Sequence, residues 1–252
     1  MISTYPSDMG ATKRLFENLN EMEKLEELKI EITPEMFKIH PSHSGDIMGV
    51  KGLGLTGEKY IKKWYLQKKY KRKPDWYSKF VEKGLLVEPI GIKMLSDHIG
   101  EELTKNERWY RDDFMIGQPD IIHNEIVFDI KSSWDLFTFP YFDKEIVNKD
   151  YYYQMQCYLS LTGLQKAILV YCLIDTPQPL IQQELKKLYF QSGGNAADWS
   201  PEVNTELAEN FKFNDIPFAD KIKLFEVERD EVVIQKIKDR VVECRNYLKG
   251  IL

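Results

Sequence analysis

Three ionisable residues, Asp120, Asp129 and Lys131, lie in or beside apolar runs within GQPDIIHNEIVFDIKSSWDLFTF, residues 117–139. In an extended strand over residues 125–131, side chains alternate between faces. Ile126, Phe128 and Ile130 then point one way, and Val127, Asp129 and Lys131 the other. With His123 and Asn124 as a two-residue turn, Ile122 opposes Glu125 and Asp120 opposes Val127. Asp120 becomes the diagonal neighbour of Asp129 on one face, with backbones roughly 7–8 Å apart. A turn of another length would change that register. Two buried carboxylates so placed repel each other and take up protons unless a cation lies between them. Mg²⁺ commonly uses one or two carboxylates, keeps several waters and takes further ligands from phosphate. Lys131 is placed to orient or deprotonate a water, or to stabilise charge on a phosphate. Together the three residues describe a metal-dependent centre for phosphodiester cleavage. The plain structural alternative puts Asp129 and Lys131 on the wet face of a half-exposed strand, with Asp120 in a turn.

The elements that must position these residues follow from periodicity. Residues 12–32 space Leu15, Leu19, Met22, Leu25 and Leu28 as one or two short helices, and residues 40–59, rich in Gly and Ser, read as a loop or helix start. A basic helix over 59–73 ends at Pro74, and residues 78–100 form one helix, or two joined near Pro89. Strands follow near 109–110, 115–122 and 126–132. Residues 148–164 return to a helix closed by Gly163, and 166–174 form a short buried strand. A helix over 176–190, a polar loop over 193–206, a strand over 221–231 and an amphipathic helix over 231–252 complete the chain. The order predicts one α/β domain over residues 1–252 with a central mixed sheet flanked by helices, its core at about 54–175.

Composition is that of an ordinary globular protein: 252 residues, 43% hydrophobic and 30% charged. No run approaches the roughly 18 apolar residues of a membrane span, and residues 1–20 have no apolar core of a signal peptide. Cys157, Cys172 and Cys244 are far apart in apolar segments and read as buried thiols in a reducing cytoplasm. The net charge is −5, yet residues 59–73 hold eight Lys or Arg and no acid, leaving a basic stripe on an acidic body. Its lysines, among them Lys62, Lys63 and Lys69, are interleaved with Tyr60, Trp64, Tyr65 and Tyr70. Ammonium groups that displace counterions and rings that stack on bases suit a nucleic acid. An amphipathic helix with inward aromatics and solvated lysines accounts for the same pattern.

Pro119 and Asp120, a short hairpin, then Asp129, Ile130 and Lys131 resemble the signature of the PD-(D/E)XK nucleases. Upstream, KGLLVEP (residues 83–89) sets Gly84 four residues before Glu88, and downstream QMQCY (residues 154–158) has the spacing Q-x-x-x-Y. Both resemble the branch of RecB-like nuclease domains and phage recombination exonucleases, with the matched pieces in order over residues 84–158. The resemblance implies a restriction-endonuclease-like fold. It implies Glu88, Asp120 and Asp129 as ligands of Mg²⁺ or Mn²⁺, joined by the Ile130 carbonyl, with Lys131 activating the water. It places Gln154 and Tyr158 beside the site, holding it or touching DNA. Gly54 with Glu58, and Glu82, compete with Glu88. His40 and His43 are candidates for the early-helix histidine ligand of some members, or surface and capping residues. Ser132 and Ser133 are placed to hydrogen-bond a phosphate. Ser42 and Ser44 either do the same or cap a helix. Asp129 stands where many members have Glu, and three misplaced cysteines exclude the four-cysteine iron–sulfur cluster of others. The implied activity is exonucleolytic, on ends of linear double-stranded DNA in phage-type recombination or replication, in a bacterial or phage-infected cytoplasm. A structure-specific or restriction-type endonuclease and a non-catalytic DNA-binding module are the alternatives. Such exonucleases often form homo-oligomeric rings and work with a single-strand annealing recombinase, and the sequence itself carries no mark of either.

Overall fold

The central hairpin closes on Asn124 and Glu125, one residue later than the sequence suggested. Both have positive φ, 47° and 60°, as a type I′ turn requires. Glu101 draws in the outer end: its carboxylate meets His123 Nε2 and, at 3.2 Å, accepts from Asn124 Nδ2. The register becomes Ile121 with Phe128, Ile122 with Val127 and His123 with Ile126. Carried one residue further, Asp120 stands opposite Asp129 rather than Val127. The shift is two residues, so the side chains keep their faces while the two acids come closer.

The computed structural model describes residues 31–72, 78–194 and 200–252. The N-terminal helices expected over 12–32 and the stop at Pro74 lie almost wholly outside these residues. Among the described residues the helices are α1 (Ser44–Ile47), α2 (Gly54–Tyr70), α3 (Lys79–Ile99), α4 (Lys149–Thr162), α5 (Gln178–Gln191), α6 (Pro201–Glu209) and α7 (Glu231–Ile251). The strands are β1 (Tyr110–Arg111), β2 (Ile116–Gly117), β3 (Ile121–His123), β4 (Ile126–Ser132), β5 (Lys166–Cys172) and β6 (Ile222–Glu228). β1 and β2 form a small antiparallel pair. The main sheet has the order β3-β4-β5-β6, with β4 and β5 parallel and both outer pairs antiparallel, so it is mixed.

Each face of the sheet carries one helix that bears on the site. Val87 and Leu95 of α3 pack with Phe128, Ile121, Val170 and Cys172. Met155, Tyr158 and Leu159 of α4 pack with Val127, Leu169 and Phe225 on the other face. Beyond α4, α2 and α7 enclose Phe37, Ile39, Ile61, Trp64, Ile237 and Val241 together with Cys157. α4 is therefore covered on two sides, which explains the buried run from Gln154 to Leu159. It begins where the Asn148 side chain accepts from the Asp150 amide and ends at Gly163, φ 76°.

Several sequence expectations change. Of the two readings of residues 78–100 the single helix holds: α3 runs unbroken through Pro89, whose ring lies on the exposed side. The strand expected over 115–122 is interrupted around Pro119, which has no amide hydrogen for a ladder. Part of the polar stretch 193–206 is helical: Ser200 caps α6 by accepting from the Val203 amide, with Pro201 as its first residue. The cysteines are free and buried, as the sequence suggested, and burial pushes all three thiols up to about 12.

Candidate active site

β4 carries the decisive side chains on the face toward α4. Asp129 is 1% exposed, which rules out the wet-face alternative for this residue. Its Oδ1 accepts from Gln154 Nε2 at 3.0 Å, and its Oδ2 lies 2.7 Å from Lys131 Nζ. Oδ2 is buried, and beyond that ammonium it has no hydrogen-bond partner. Lys131 Nζ donates to Gln154 Oε1 at 3.0 Å and sits 4.8 Å from the centre of the Tyr151 ring. Gln154 thus holds the carboxylate with its amide hydrogen and the ammonium with its carbonyl. Its Nε2 also donates to Tyr158 Oη at 3.2 Å. The i, i+4 spacing on α4 brings Gln154 and Tyr158 together.

Asp120 enters from the partner arm of the hairpin. Its Oδ2 accepts from the Ile130 amide at 2.7 Å, which bends the chain between β2 and β3 onto β4. Burial raises its pKa above the ordinary carboxylate value, and the charges of Asp129 and, less strongly, Glu88 add to that rise. The Ile130 amide and Lys131 pull the other way. Burial disfavours the Lys131 ammonium, but Asp129 and Asp120 outweigh it and hold the pKa above its usual value. The site is a pair of repelling carboxylates, incompletely offset by one lysine.

Glu88 reaches this field from α3. A Cβ built on Gly91, one turn later, would meet Ile130 Cγ2 at 2.9 Å, so the helix lies directly on β4 there. Glu88 is paired with Lys105, and among the described residues no three His, Cys, Asp or Glu side chains converge as a metal-holding group. The acidic triad expected from the sequence is therefore an opposed pair, Asp120 and Asp129, with Glu88 nearby and turned to a lysine.

The competing acids lie elsewhere. Glu58 accepts from Tyr247 Oη at 3.1 Å and faces Lys62, on the α2–α7 side. Glu88, not Glu82, registers in the electrostatics of Asp120. His43 bonds Asp46 Oδ2 at 2.8 Å and stacks on Tyr60, while His40 lies edge-on to Trp109. Ser44 is buried and is the C-cap residue of the 3₁₀ turn Pro41–His43, both its amide and its hydroxyl donating to the Pro41 carbonyl, so it does not meet solvent.

Backbone overlay places this geometry among known folds. The chain matches a phage-related exonuclease from Haemophilus somnus 129PT with TM-score 0.68 and 22% identity, over 85% of this chain and 95% of that one. It matches the alkaline exonuclease LHK-Exo from Laribacter hongkongensis with TM-score 0.60 and 15% identity, over 84% and 88%. The complex of LHK-Exo with dAMP gives TM-score 0.58 over the same shares, also at 15% identity. The fold is that of the phage-related and alkaline exonucleases. No family model and no curated protein matches the sequence.

Within this exonuclease fold the expected DNA contacts divide. Lys62, Lys63 and Lys69 are exposed on α2, whereas Tyr60 and Trp64 are buried against Phe37 and cannot stack on bases. Ser133 is buried and turned to the Thr138 carbonyl, the Ser132 hydroxyl is buried, and Tyr158 is a core residue. The serines were expected to bond a phosphate, and Tyr158 to hold the site or touch DNA. The two serines lie enclosed at the end of β4, and Tyr158, on α4, accepts from Gln154 Nε2. Sequence reasoning missed Lys105, Tyr151 and Lys83. Lys83 is buried and donates to the Ser133 carbonyl at 2.6 Å and the Trp134 carbonyl at 3.2 Å. A signal for it existed: Lys83 shares an i, i+4 stripe with Val87, Gly91 and Leu95, the inward face of α3.

Proposed function

We propose that the protein is a metal-dependent deoxyribonuclease that digests linear double-stranded DNA from its ends, in phage-type recombination or replication. The observation that carries this reading is the opposed pair Asp120 and Asp129, with Lys131 on the same strand face, set on a fold shared with exonucleases. The donor set fits a hard divalent cation. Asp129 Oδ2 is buried with only the Lys131 ammonium against it, and Asp120 is held against a like charge that a cation would relieve. Asp120, Asp129 and the Ile130 carbonyl would hold Mg²⁺ or Mn²⁺, with Glu88 joining in exchange for Lys105. A bound ion supplies charge neutralisation at the scissile phosphate and a more acidic water.

The chain's own residues supply the rest. Lys131 holds the attacking water and offsets charge that develops on the phosphate. Gln154 fixes the distance between Lys131 and Asp129, and Tyr158 fixes Gln154. Tyr151 covers the ammonium from the far side. Lys62, Lys63 and Lys69 attract the duplex by counterion release. The Q-x-x-x-Y pair supports placement in the RecB-like branch. The reading extends to a homo-oligomer working with a single-strand annealing recombinase in the cytoplasm. Among the described residues no helix is long and apolar enough to cross a membrane.

The test is digestion of end-labelled linear duplex beside a covalently closed circle, with Mg²⁺, Mn²⁺ or EDTA, for the wild type and Lys131→Ala. Metal-dependent loss of the linear DNA alone, absent in the variant, supports the exonuclease. Cleavage of the circle moves the assignment to an endonuclease. Loss of neither, with folding and DNA binding intact, overturns the catalytic reading.

A further inference from the structure

The main sheet ends at β6, whose outer edge pairs with no strand among the described residues. β6 runs against β5 without a bulge, from Ile222 opposite Cys172 to Glu228 opposite Lys166. Just beyond the two ends of this ladder the Leu173 amide donates to the Lys221 carbonyl, and the Arg229 amide to the Gln165 carbonyl. In an antiparallel pair only alternate residues exchange hydrogen bonds. Lys223, Phe225 and Val227 therefore turn their backbone groups to β5, while Leu224, Glu226 and Glu228 turn theirs outward. The Glu228 carbonyl accepts from Gln156 Nε2 at 2.8 Å. The amides and carbonyls of Leu224 and Glu226 meet no partner among the described residues.

The edge is held at both ends and open between them. Gln156 is buried and also accepts from the Asp230 amide at 2.9 Å, which fixes the end that leads into α7. At the other end Lys223 Nζ donates to the Tyr141 carbonyl at 2.7 Å. A groove of about 640 Å³ lies between β6 and the loop residues Lys144, Glu145 and Ile146. Edge strands are usually kept short, bulged, covered, or guarded by lysine or proline. β6 has no bulge and no proline, its lysine is committed to Tyr141, and its exposed residues are Glu226 and Glu228. The groove is acidic. Glu145, Glu226 and Glu228 make no ion pair among the described residues, whereas Arg229 is taken up by Glu231 and the Leu159 carbonyl.

We propose that β6 is a docking edge: it takes an extended segment of a partner protein as a fifth strand, with Lys or Arg at alternate positions and apolar side chains between them. Glu226 and Glu228 share one sheet face, so their neighbours on an added strand are alternate residues too, and basic ones match them. The intervening side chains fall on the face of Phe225 and Val227, toward Ile146 of the groove. Backbone hydrogen bonds supply the affinity of such an addition, and the side-chain matches its specificity. A second copy of this chain fits poorly, because two β6 strands related by a twofold axis would set these acids against one another. Residues 1–30 hold six acids and four bases and do not supply the charge either. The edge is two strands from Asp129 and opposite the β3–β4 hairpin, so a docked partner leaves the candidate active site open.

A fluorescein-labelled peptide of alternating Lys and Val, titrated with the full chain at physiological salt and followed by fluorescence anisotropy, tests this edge. The wild type binds it saturably. Glu226→Lys combined with Glu228→Lys weakens binding roughly tenfold. Glu226→Pro removes an outward amide that the fold does not use and weakens binding to a similar degree, with circular dichroism unchanged. The same peptide N-methylated at every residue does not bind the wild type, a control that leaves the protein untouched. Binding that survives Glu226→Pro and N-methylation but not charge reversal would reduce the edge to a charged patch and overturn the added strand. Indifference to charge reversal would overturn the basic partner, and no binding to the wild type would overturn both. A wild type that sediments as an oligomer beside a monomeric Glu226→Pro would give the edge to a second copy instead.

Discussion

Asp120 stands opposite Asp129 across the β3–β4 hairpin, and its Oδ2 accepts the Ile130 amide at 2.7 Å. That amide separates Asp129 from Lys131 in the chain, so one hydrogen bond locks the second carboxylate onto the strand that carries the first. The cost is repulsion between two buried acids.

Asp120→Asn keeps an acceptor for the Ile130 amide and removes the repulsion. The metal-free variant is expected to be more stable than the wild type by roughly 1 kcal/mol, or about 2–4 °C in Tm for a chain of this size. Cleavage should fall at least a hundredfold. Thermal melts in EDTA, paired with a cleavage assay in Mg²⁺, check both signs. A less stable Asp120→Asn would show that the carboxylates do not strain the fold.

Gln154 joins Asp129, Lys131 and Tyr158. Gln154→Ala leaves buried polar groups without partners, a loss of roughly 1–3 kcal/mol in stability, and frees Lys131 to move. Cleavage at saturating metal should drop ten- to a hundredfold. Tyr158→Phe removes only the acceptor that steadies Gln154, so its effect on kcat should be a few-fold. Equal losses in the two variants would mean that Tyr158 contacts the substrate itself.

Lys83 has its pKa brought down to about 8, first by burial, with Asp135 and Asp175 acting the other way. An unfolded lysine titrates near 10.4. Between these values the unfolded chain binds more protons than the folded one, so the Lys83 contribution to stability rises with pH. Below pH 8 the penalty for enclosing the ammonium is fully present. The unfolding free energy of the wild type minus that of Lys83→Met should therefore climb by roughly 2 kcal/mol from pH 7.5 to 10. A difference that stays flat in denaturant titrations across that range would place the Lys83 ammonium in contact with water.

Gly91→Ala tests how α3 is seated. Alanine favours a helix by about 1 kcal/mol, but its Cβ would lie 2.9 Å from Ile130 Cγ2, on a β-branched side chain with little freedom to move. Overpacking of this kind costs roughly 1–3 kcal/mol. Gly91→Ala should lower stability, and it should lower cleavage more than a surface change such as Gly84→Ala, where a Cβ meets nothing within 4 Å.

Much of the site was legible because its residues break the local pattern. Asp129 and Lys131 interrupt an apolar strand, and Gln154 and Tyr158 keep one helix face, so alternation and helical spacing alone put the right groups on the right sides. The turn was harder. His123 with Asn124 and Asn124 with Glu125 are both tolerable two-residue loops, and Glu101, 22 residues before His123 in sequence, favours the second. The same distance effect hid Lys105, which competes for Glu88 from beyond the end of α3.

The sequence by itself determined most of the element order, the mixed α/β class and the shared face of Asp120, Asp129 and Lys131, because these depend on periods of two and of 3.6 residues. Tertiary structure decided what is buried. Ser133 reads as a phosphate contact until its packing at the strand end buries it. Trp64 reads as a stacking ring until Phe37, far away in the chain, packs against it. A cavity lined by Tyr151 and Tyr171 draws its rings from α4, β5, β6 and the loop after β4. Enclosure is set by elements distant in sequence, and no local pattern encodes it.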